Sequence, residues 1–384
     1  MTRFFIKLTA VLLLALILAA QPVTASADAD DATDRWLEEQ WSASGADRLW
    51  EALPETTQTL LADLGVERFD LSSIKTLQPN SVLTTLWDVA ASGSTPAVRV
   101  AGTVLGALLL CSLLDGLRRL TDEPAMNDVF RMVGLLAVGL SLMAPLCDCL
   151  RQAAEAVDGA LVFMGSFVPV YAAVLASNGQ MTSALSYQSV VLFVSEGLTG
   201  LMGRVVTPLL SVSLGLGVAG GLGTEWKLDA IGGFFNKLCA WLVGLGCTIF
   251  VGMLSLQSLV GASTDSVAIR AVRFSVVNLV PVVGSSIGEA FGTVKNCLAV
   301  LRTTLGAFGV TSTAALILPS LLSCGWWILL LGLCASASDV LGFAALSRLL
   351  KTAAGVIRTM TAVLVCCGLF LVIAATVVTL AGGG

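Results

Sequence analysis

The stretch 359–381, TMTAVLVCCGLFLVIAATVVTLA, contains no charged residue. A helix needs about 20 consecutive apolar residues to cross a bilayer. Comparable stretches follow one another from residue 97 to the end of the chain. We predict eight spans, at 97–114, 129–147, 157–176, 187–222, 238–262, 275–294, 305–334 and 359–381. The sequence therefore predicts an all-α, polytopic membrane protein with about eight transmembrane helices.

The composition agrees with this class of protein. Of the 384 residues, 56% are hydrophobic and 12% are charged, and the mean hydropathy is +0.90. A soluble domain carries roughly 25% charged residues. Histidine is absent, which excludes a histidine general base, a Ser-His-Asp triad and histidine-ligated metal. We therefore predict a protein that is not an enzyme, and we assign no catalytic, cofactor-binding or metal-binding residues.

The N-terminus has the order of a secretory signal peptide. Arg3 and Lys7 precede an apolar run from Leu8 to Ala20, and the small residues Ala25-Ser26-Ala27 follow. Basic, apolar and cleavage regions in this order are typical of signal peptides. We predict that residues 1–27 are the signal peptide, with an uncleaved membrane anchor as the alternative.

Residues 28–94 are predicted to form a small extracytoplasmic helical segment ahead of a membrane domain at 95–384. The segment holds 13 of the 26 acidic residues and only four basic ones. Such an acidic balance does not suit nucleic-acid binding, which needs a basic face. Four tryptophans lie in it, so that it either rests on the membrane domain as short helices or offers a docking surface for a partner.

The orientation follows from the distribution of basic residues. Arg118, Arg119 and Arg131 flank the first loop of the membrane domain, which we expect to be cytoplasmic. Residues 147–158 contain Asp148, Glu155 and Asp158 against one basic residue, Arg151, and are expected to form an external loop. Residues 348–358 carry three basic side chains and are expected on the cytoplasmic side, with the C-terminal glycines outside. An even number of spans satisfies these constraints.

The apolar stretch at 187–222 is too long for one simple span. It is interrupted by Arg204, by Pro208 and by a cluster of glycines that starts at Gly215. Glycine and proline punctuate helices. We predict a broken helix or a helical hairpin near 187–222.

Three ionisable residues lie within apolar stretches and are the candidate functional charges: Glu196, Arg204 and Glu289. Charges at membrane depth are costly, and many of them mark pathways for ions or solutes. We predict that at least one of the three faces a hydrated cavity inside the bundle. The alternative is structural, with each charge paired to another helix or placed near an interface.

The cysteines carry only a weak signal. Cys147-Asp148-Cys149 brings two thiols together, but no second pair has metal-ligand spacing. We expect the ten cysteines to be buried, inert thiols. The chain also lacks a GxxxxGK[ST] phosphate loop, so energy from nucleotide hydrolysis would have to come from another subunit.

The stretch 263–284 carries a more specific pattern. An Asp-x4-Arg-x2-basic segment runs into Asn-x-Val-Pro-Val-Val-Gly, with the defining residues Asp265, Arg270, Arg273, Asn278, Pro281 and Gly284. This pattern resembles the stage III sporulation protein AE family. The segments FVPVY at 167–171 and SNG at 177–179 are similar to that family as well, and the resemblance covers nearly the whole chain.

The resemblance implies a sporulation membrane protein of the mother cell, placed as a multi-pass protein in the cell membrane that faces the forespore. It implies a subunit of a secretion-like channel complex between mother cell and forespore, required for late forespore development. The implied partners are the other stage III sporulation A membrane, ring and ATPase subunits and the lipid bilayer. No family residue carries over as catalytic, and the six motif residues form either a structural turn or a functional site. The alternative function is a self-contained permease for a small solute.

Overall fold

The computed structural model describes residues 45, 48–63, 79–118, 125–177, 179–221, 230–253, 256 and 284–381. Every regular element in these ranges is helical, as predicted. The helices are α1 Arg48–Glu51, α2 Glu55–Asp63, α3 Pro79–Arg118, α4 Ala125–Ser177, α5 Met181–Leu201, a π-helical turn at Met202–Val206, α6 Thr207–Gly221, α7 Ala230–Met253, α8 Gly284–Val340 and α9 Ala344–Ala381.

The described part of the chain contains six helical stretches that are long and apolar enough to cross a membrane, where the sequence predicted eight. They are Ala91–Leu113, Val133–Ser177, Met181–Gly220, Ala230–Met253, Leu301–Val340 and Ala344–Thr376. The polytopic all-α class is thus confirmed, while the count differs because the structure joins segments that the sequence appeared to separate. The predicted span 275–294, of which residues 284–294 are described, and the predicted span 305–334 both lie on α8.

The predicted external loop at 147–158 is wrong, because this segment is the middle of α4. Its charges follow helical spacing. Arg151 lies 3.6 Å from the carboxylate of Asp148 at i,i+3 and 3.9 Å from that of Glu155 at i,i+4. Charges at this spacing share one helix face and can point to water while the backbone stays helical. The predicted spans 129–147 and 157–176 are therefore one helix.

The predicted interruption near 187–222 takes the form of a π-helical turn. The helix continues from α5 through Met202–Val206 into α6 without a hairpin. The Thr207 hydroxyl donates to the Met202 carbonyl at 2.9 Å. A π turn inserts one extra residue into a helix and is often found at functional sites. Arg204 lies in this turn.

Two tight turns reverse the chain between long helices. At the end of α4, the Gln180 amide donates to the Leu175 carbonyl and the Gly179 amide to that of Ala176. The same pair of bonds closes α8, where Gly342 is the equivalent glycine. Both glycines have positive φ, 77° and 81°, as the Schellman motif requires. Each turn makes the following helix antiparallel to the preceding one.

Contacts between helices fix their relative register. Helix α4 packs against α3, α5, α6, α8 and α9, and α9 packs against α4, α6 and α8. Along α4 and α8, Cys149 faces Cys324 and Phe163 faces Phe308, which shows that the two helices are antiparallel. A buried aromatic column of Phe163, Phe167 and Tyr171 continues along α4.

Small residues allow these close approaches. A Cβ atom at Gly309 of α8 would lie 2.5 Å from the Phe167 ring, and one at Gly217 of α6 would lie 2.6 Å from the Thr352 side chain. Glycine at such positions lets helix backbones approach where lipid provides no hydrophobic drive. Glycine therefore serves close packing at these two contacts.

Several hydroxyl groups along the helices bond to the backbone four residues earlier. Thr313 donates to the Gly309 carbonyl at 2.7 Å and Ser338 donates to that of Cys334 at 2.8 Å. In apolar surroundings an unsatisfied hydroxyl is costly, and this bond satisfies it without a partner helix.

Candidate functional site

A band of exposed charges crosses the middle of the long helices. On α4 the side chains of Asp148, Arg151 and Glu155 are 61–67% exposed, and Asp158 is exposed one turn further on. We call these four residues, together with Asp88 of α3, Arg204 of the π turn and Arg358 of α9, the charged band. All seven side chains are exposed.

Helix contacts place these residues at a similar level. Tyr171 faces Tyr187, and Gly139 faces Val218, so the midpoint of α4 between these contacts, near residue 155, lies beside the π turn. Gly93 of α3, five residues after Asp88, meets Ser323 of α8, which adjoins Cys324. Thr361 of α9, three residues after Arg358, contacts Cys324, and Cys324 faces Cys149 of α4. The band therefore follows one level on several helices rather than one side of a single helix.

Helical segments on both sides of the band are free of charged residues. We call the upper zone the segments 159–177 of α4, 181–195 of α5, 303–318 of α8 and 369–376 of α9, and the lower zone the segments 100–113 of α3, 132–147 of α4, 207–221 of α6 and 323–338 of α8. On α4 the two segments are about 28 Å and 24 Å long at 1.5 Å per residue. Each is close to the thickness of a bilayer core, about 30 Å.

Both zones have apolar side chains on their outer surface. In the lower zone Leu109 and Leu140 are 65% and 67% exposed, and in the upper zone Val162 and Leu185 are 61% and 65% exposed. Exposed apolar surface on this scale marks contact with lipid or with another protein. At the level of the lower zone, where Leu349 faces Gly139 and Thr352 faces Gly217, the ammonium of Lys351 donates to the Asp339 carboxylate at 2.7 Å.

Two of the three candidate charges predicted from sequence are described with their side chains. Arg204 belongs to the charged band. Glu196 lies on α5, eight residues or about two turns before Arg204, and its side chain is also exposed. Glu289 lies on α8, 13 residues before Arg302. The structure thus brings Arg204 to the level of the α4 charges and keeps Glu196 at the edge of the upper zone.

The family-like motif falls almost wholly outside the described residues. Five of its six residues lie outside the part of the chain that the structure describes: Asp265, Arg270, Arg273, Asn278 and Pro281. Gly284 is the first residue of α8. The interpretation of the motif as a turn or a functional site stays a prediction. Of the SNG segment, Ser177 ends α4 and Gly179 lies in the turn that follows.

Sequence reasoning missed Arg302, a buried cation of α8. Its side chain is 6% exposed and its Nη1 donates to the Gln180 Oε1 at 3.5 Å. Among the described residues neither Nε nor Nη2 has a hydrogen-bond partner. The residue precedes the predicted span 305–334, and so it reads in the sequence as an ordinary flanking charge. Only the packing of α8 against the turn at Gly179 and Gln180 encloses it.

Sequence reasoning also missed two cysteine pairs that join helices. The Sγ atoms of Cys149 and Cys324 are 3.8 Å apart, and both residues are buried. The Sγ atoms of Cys247 on α7 and Cys366 on α9 are 2.9 Å apart, and both residues are partly exposed. The pairs are separated by 175 and 119 residues, so no spacing rule could find them. Within the described ranges no group of three metal-ligating side chains occurs.

The long apolar helices, their antiparallel turns and their small-residue contacts define a polytopic α-helical membrane protein. Comparison of the sequence with known families identifies the family to which the chain belongs. A profile of the family described as stage III sporulation protein AE matches residues 68–382. The chain belongs to this family, as the motif had indicated.

A curated relative is consistent with that assignment. The chain is 24% identical over 212 residues to the Stage III sporulation protein AE of Bacillus subtilis (strain 168). The alignment covers 55% of this chain and 53% of the relative, so the chain spans about half the length of the relative that it matches. No solved structure matches the chain. Membership of a stage III sporulation family assigns the protein a sporulation-related role at a membrane.

Proposed function

We propose that the protein is a non-enzymatic membrane subunit of a secretion-like channel complex between mother cell and forespore, required for late forespore development. One structural observation carries the proposal beyond family membership. Apolar outer surface lies on both sides of the charged band, so the bundle has more apolar height than one bilayer can cover.

Helix lengths make this argument quantitative. Helix α4 has 53 residues and α8 has 57, which correspond to about 80 and 86 Å. A bilayer core is about 30 Å thick. Tilting a helix that long would carry the charged band into hydrocarbon, where each charge costs about 2.5–3.5 kcal/mol on insertion scales. One zone therefore lies in the bilayer, and we propose that other subunits of the complex cover the second.

The self-contained permease is the alternative, and the described charges favour the subunit. A permease binds its substrate inside its own bundle, near the middle of the membrane. Glu196 and Arg204, the described candidates for such a site, are instead exposed on the outer surface of the bundle. Charges in that position suit a hydrated surface shared between subunits.

We further propose that Glu196 and Arg204 line a hydrated space formed with neighbouring subunits, with Glu289 and the motif Asp265–Gly284 as further candidates. Glu196→Gln, Glu289→Gln and Arg204→Gln remove charge with little change in size. We expect at least one of these variants to reduce spore formation while the amount of membrane-bound protein stays unchanged. Normal sporulation in all three variants would mean that these charges have a structural role and not a functional one.

The proposed partners are the other stage III sporulation A membrane, ring and ATPase subunits, in the mother-cell membrane that faces the forespore. Purification of the tagged full-length protein from sporulating cells tests this directly. We expect those subunits among the copurifying proteins, and none of them with an equally abundant, unrelated polytopic protein carrying the same tag.

Deletion and reconstitution separate the two functions. We expect the deletion strain to arrest after engulfment with shrunken forespores, and the purified protein alone in liposomes to show no selective solute uptake. Normal spores in the deletion strain, or selective uptake by the lone protein, would support the permease instead.

A further inference from the structure

Cys247 and Cys366 form a close thiol pair between α7 and α9. Their Sγ atoms are 2.9 Å apart, while a disulfide bond has an S–S distance of about 2.05 Å. One turn further along both helices, the rings of Phe250 and Phe370 pack at 4.0 Å in an edge-to-face arrangement. That aromatic contact fixes the register that holds the thiols together.

The pair lies near the level of the charged band. On α9, Cys366 follows Thr361 by five residues, and Thr361 contacts Cys324, which in turn faces Cys149. Cys149 adjoins the band residue Asp148. Unlike Cys149 and Cys324, both Cys247 and Cys366 are partly exposed. Partial exposure is what a reagent in water needs to reach a thiol.

We propose that Cys247 and Cys366 are a dithiol modification site, at which a low-molecular-weight disulfide oxidises the pair to an intramolecular disulfide linking α7 to α9. One cysteine loses its proton and its thiolate attacks the reagent, R–S–S–R, to give a mixed disulfide and RS⁻, which takes up that proton as RSH. The second thiolate attacks the protein sulfur of that mixed disulfide, which forms the Cys247–Cys366 bond and releases a second RSH. Two cysteines are oxidised and one reagent disulfide is reduced to two thiols.

The product would join a peripheral helix to a central one. Helix α7 meets α6 through the Ser213 hydroxyl, which donates to the Gly232 carbonyl and contacts the Asn236 side chain. Helix α9 packs against α4, α6 and α8. The covalent link therefore ties α7 to the centre of the bundle, and reduction by an excess of thiol releases it again.

The chain supplies its own matched control pair. Cys149 and Cys324 also face each other across two helices, at 3.8 Å, and both are buried. Exposure should therefore decide which pair reacts. A second control is Cys367, which adjoins Cys366 in sequence but is fully buried.

The test treats the full-length protein in native membranes with 4,4′-dithiodipyridine, then alkylates the remaining thiols and locates them by peptide mass spectrometry. We expect a cross-linked peptide pair containing Cys247 and Cys366, while Cys149 and Cys324 are alkylated only after the protein is unfolded. Cys366→Ser and Cys366→Ala should both abolish the cross-link and leave Cys247 as a mixed disulfide with the reagent, and Cys367→Ser should preserve the cross-link.

Two results would overturn the proposal. One is separate alkylation of Cys247 and Cys366 after oxidant treatment, with no cross-linked peptide. The other is a disulfide that joins Cys247 to Cys367, or Cys149 to Cys324, in preference to the proposed pair. Reversal of the proposed link by dithiothreitol should restore both thiols, and a link that resists reduction in the folded protein would contradict a reversible site.

Discussion

The charged band and the upper zone lie on the same helix and differ in what their outer surface can contact. On α4, Gln152 and Glu155 point outward in the band, and Val162 points outward two turns later. All three are exposed on a continuous helix. The difference teaches that the surroundings of the bundle change along its length, from water at the band to lipid or protein at the upper zone.

The largest effect is expected inside the upper zone, at the aromatic column. Phe163 is fully buried against Phe167 and Phe308. Truncation of a buried phenylalanine costs about 3–5 kcal/mol, so Phe163→Ala should markedly lower the thermal unfolding temperature of the purified protein in detergent. The control is Val162→Ala, whose side chain points outward. Equal effects of the two variants would contradict the described packing of α4.

A lysine introduced on the outer surface should have a larger effect in the upper zone than in the charged band. Val162→Lys places an ammonium in the upper zone, where insertion at membrane depth costs about 2.5–3.5 kcal/mol. Gln152→Lys places the same group in the band. We expect the first variant to reduce the amount of assembled, membrane-bound protein measured after membrane fractionation and copurification.

The second variant should behave as the unmodified protein. If Val162→Lys and Gln152→Lys gave the same yield and the same copurifying proteins, then the upper zone would be as hydrated as the band. That outcome would remove the reason for placing partner subunits or lipid around it.

Overpacking at a helix contact should have a moderate effect. A Cβ at Gly309 would lie 2.5 Å from the rigid Phe167 ring, and overpacking of a well-packed core costs about 1–3 kcal/mol. Gly309→Ala should therefore lower the unfolding temperature. Gly165→Ala is the matched control on α4, since nothing lies within 4 Å of its Cβ position, and alanine favours the helix. A stabilised Gly309→Ala variant would show that α4 and α8 are further apart than described.

The smallest effect is expected in the band itself. Arg151 lies near Asp148 and Glu155, but all three side chains are more than 60% exposed. Exposed ion pairs contribute about 0–1 kcal/mol. Arg151→Ala should leave the unfolding temperature nearly unchanged, and raising the salt concentration should reduce even that difference. A large loss of stability would mean that the band is enclosed rather than hydrated.

Local sequence patterns located the helices better than they located the breaks between them. The apolar runs predicted the class correctly, yet the charges at Asp148, Arg151 and Glu155 were interpreted as a loop. A cluster of charges indicates contact with water, and an exposed helix face provides that contact as well as a loop does. Conversely, Arg204 does mark an irregularity, but the structure absorbs it as a π turn rather than a hairpin.

For the candidate site, too, the sequence predicts some residues and misses others. Glu196 and Arg204 were found because a charge within an apolar run is visible in the sequence, while Arg302 was missed because its burial depends on α8 packing against the turn at Gln180. The pattern around Asp265 pointed to the family that the comparison with known proteins confirms.

By itself the sequence determined a helical membrane protein of the stage III sporulation AE family, because helix-length apolar runs and a specific motif are properties of neighbouring residues. Tertiary structure alone decided which distant residues meet: Cys247 with Cys366, Arg302 with Gln180, and charges on separate helices in one band. The physical reason is register. Side chains more than 100 residues apart come together only through the lengths of helices, the turns at Gly179 and Gly342, and the glycine contacts that set how closely the helices pack.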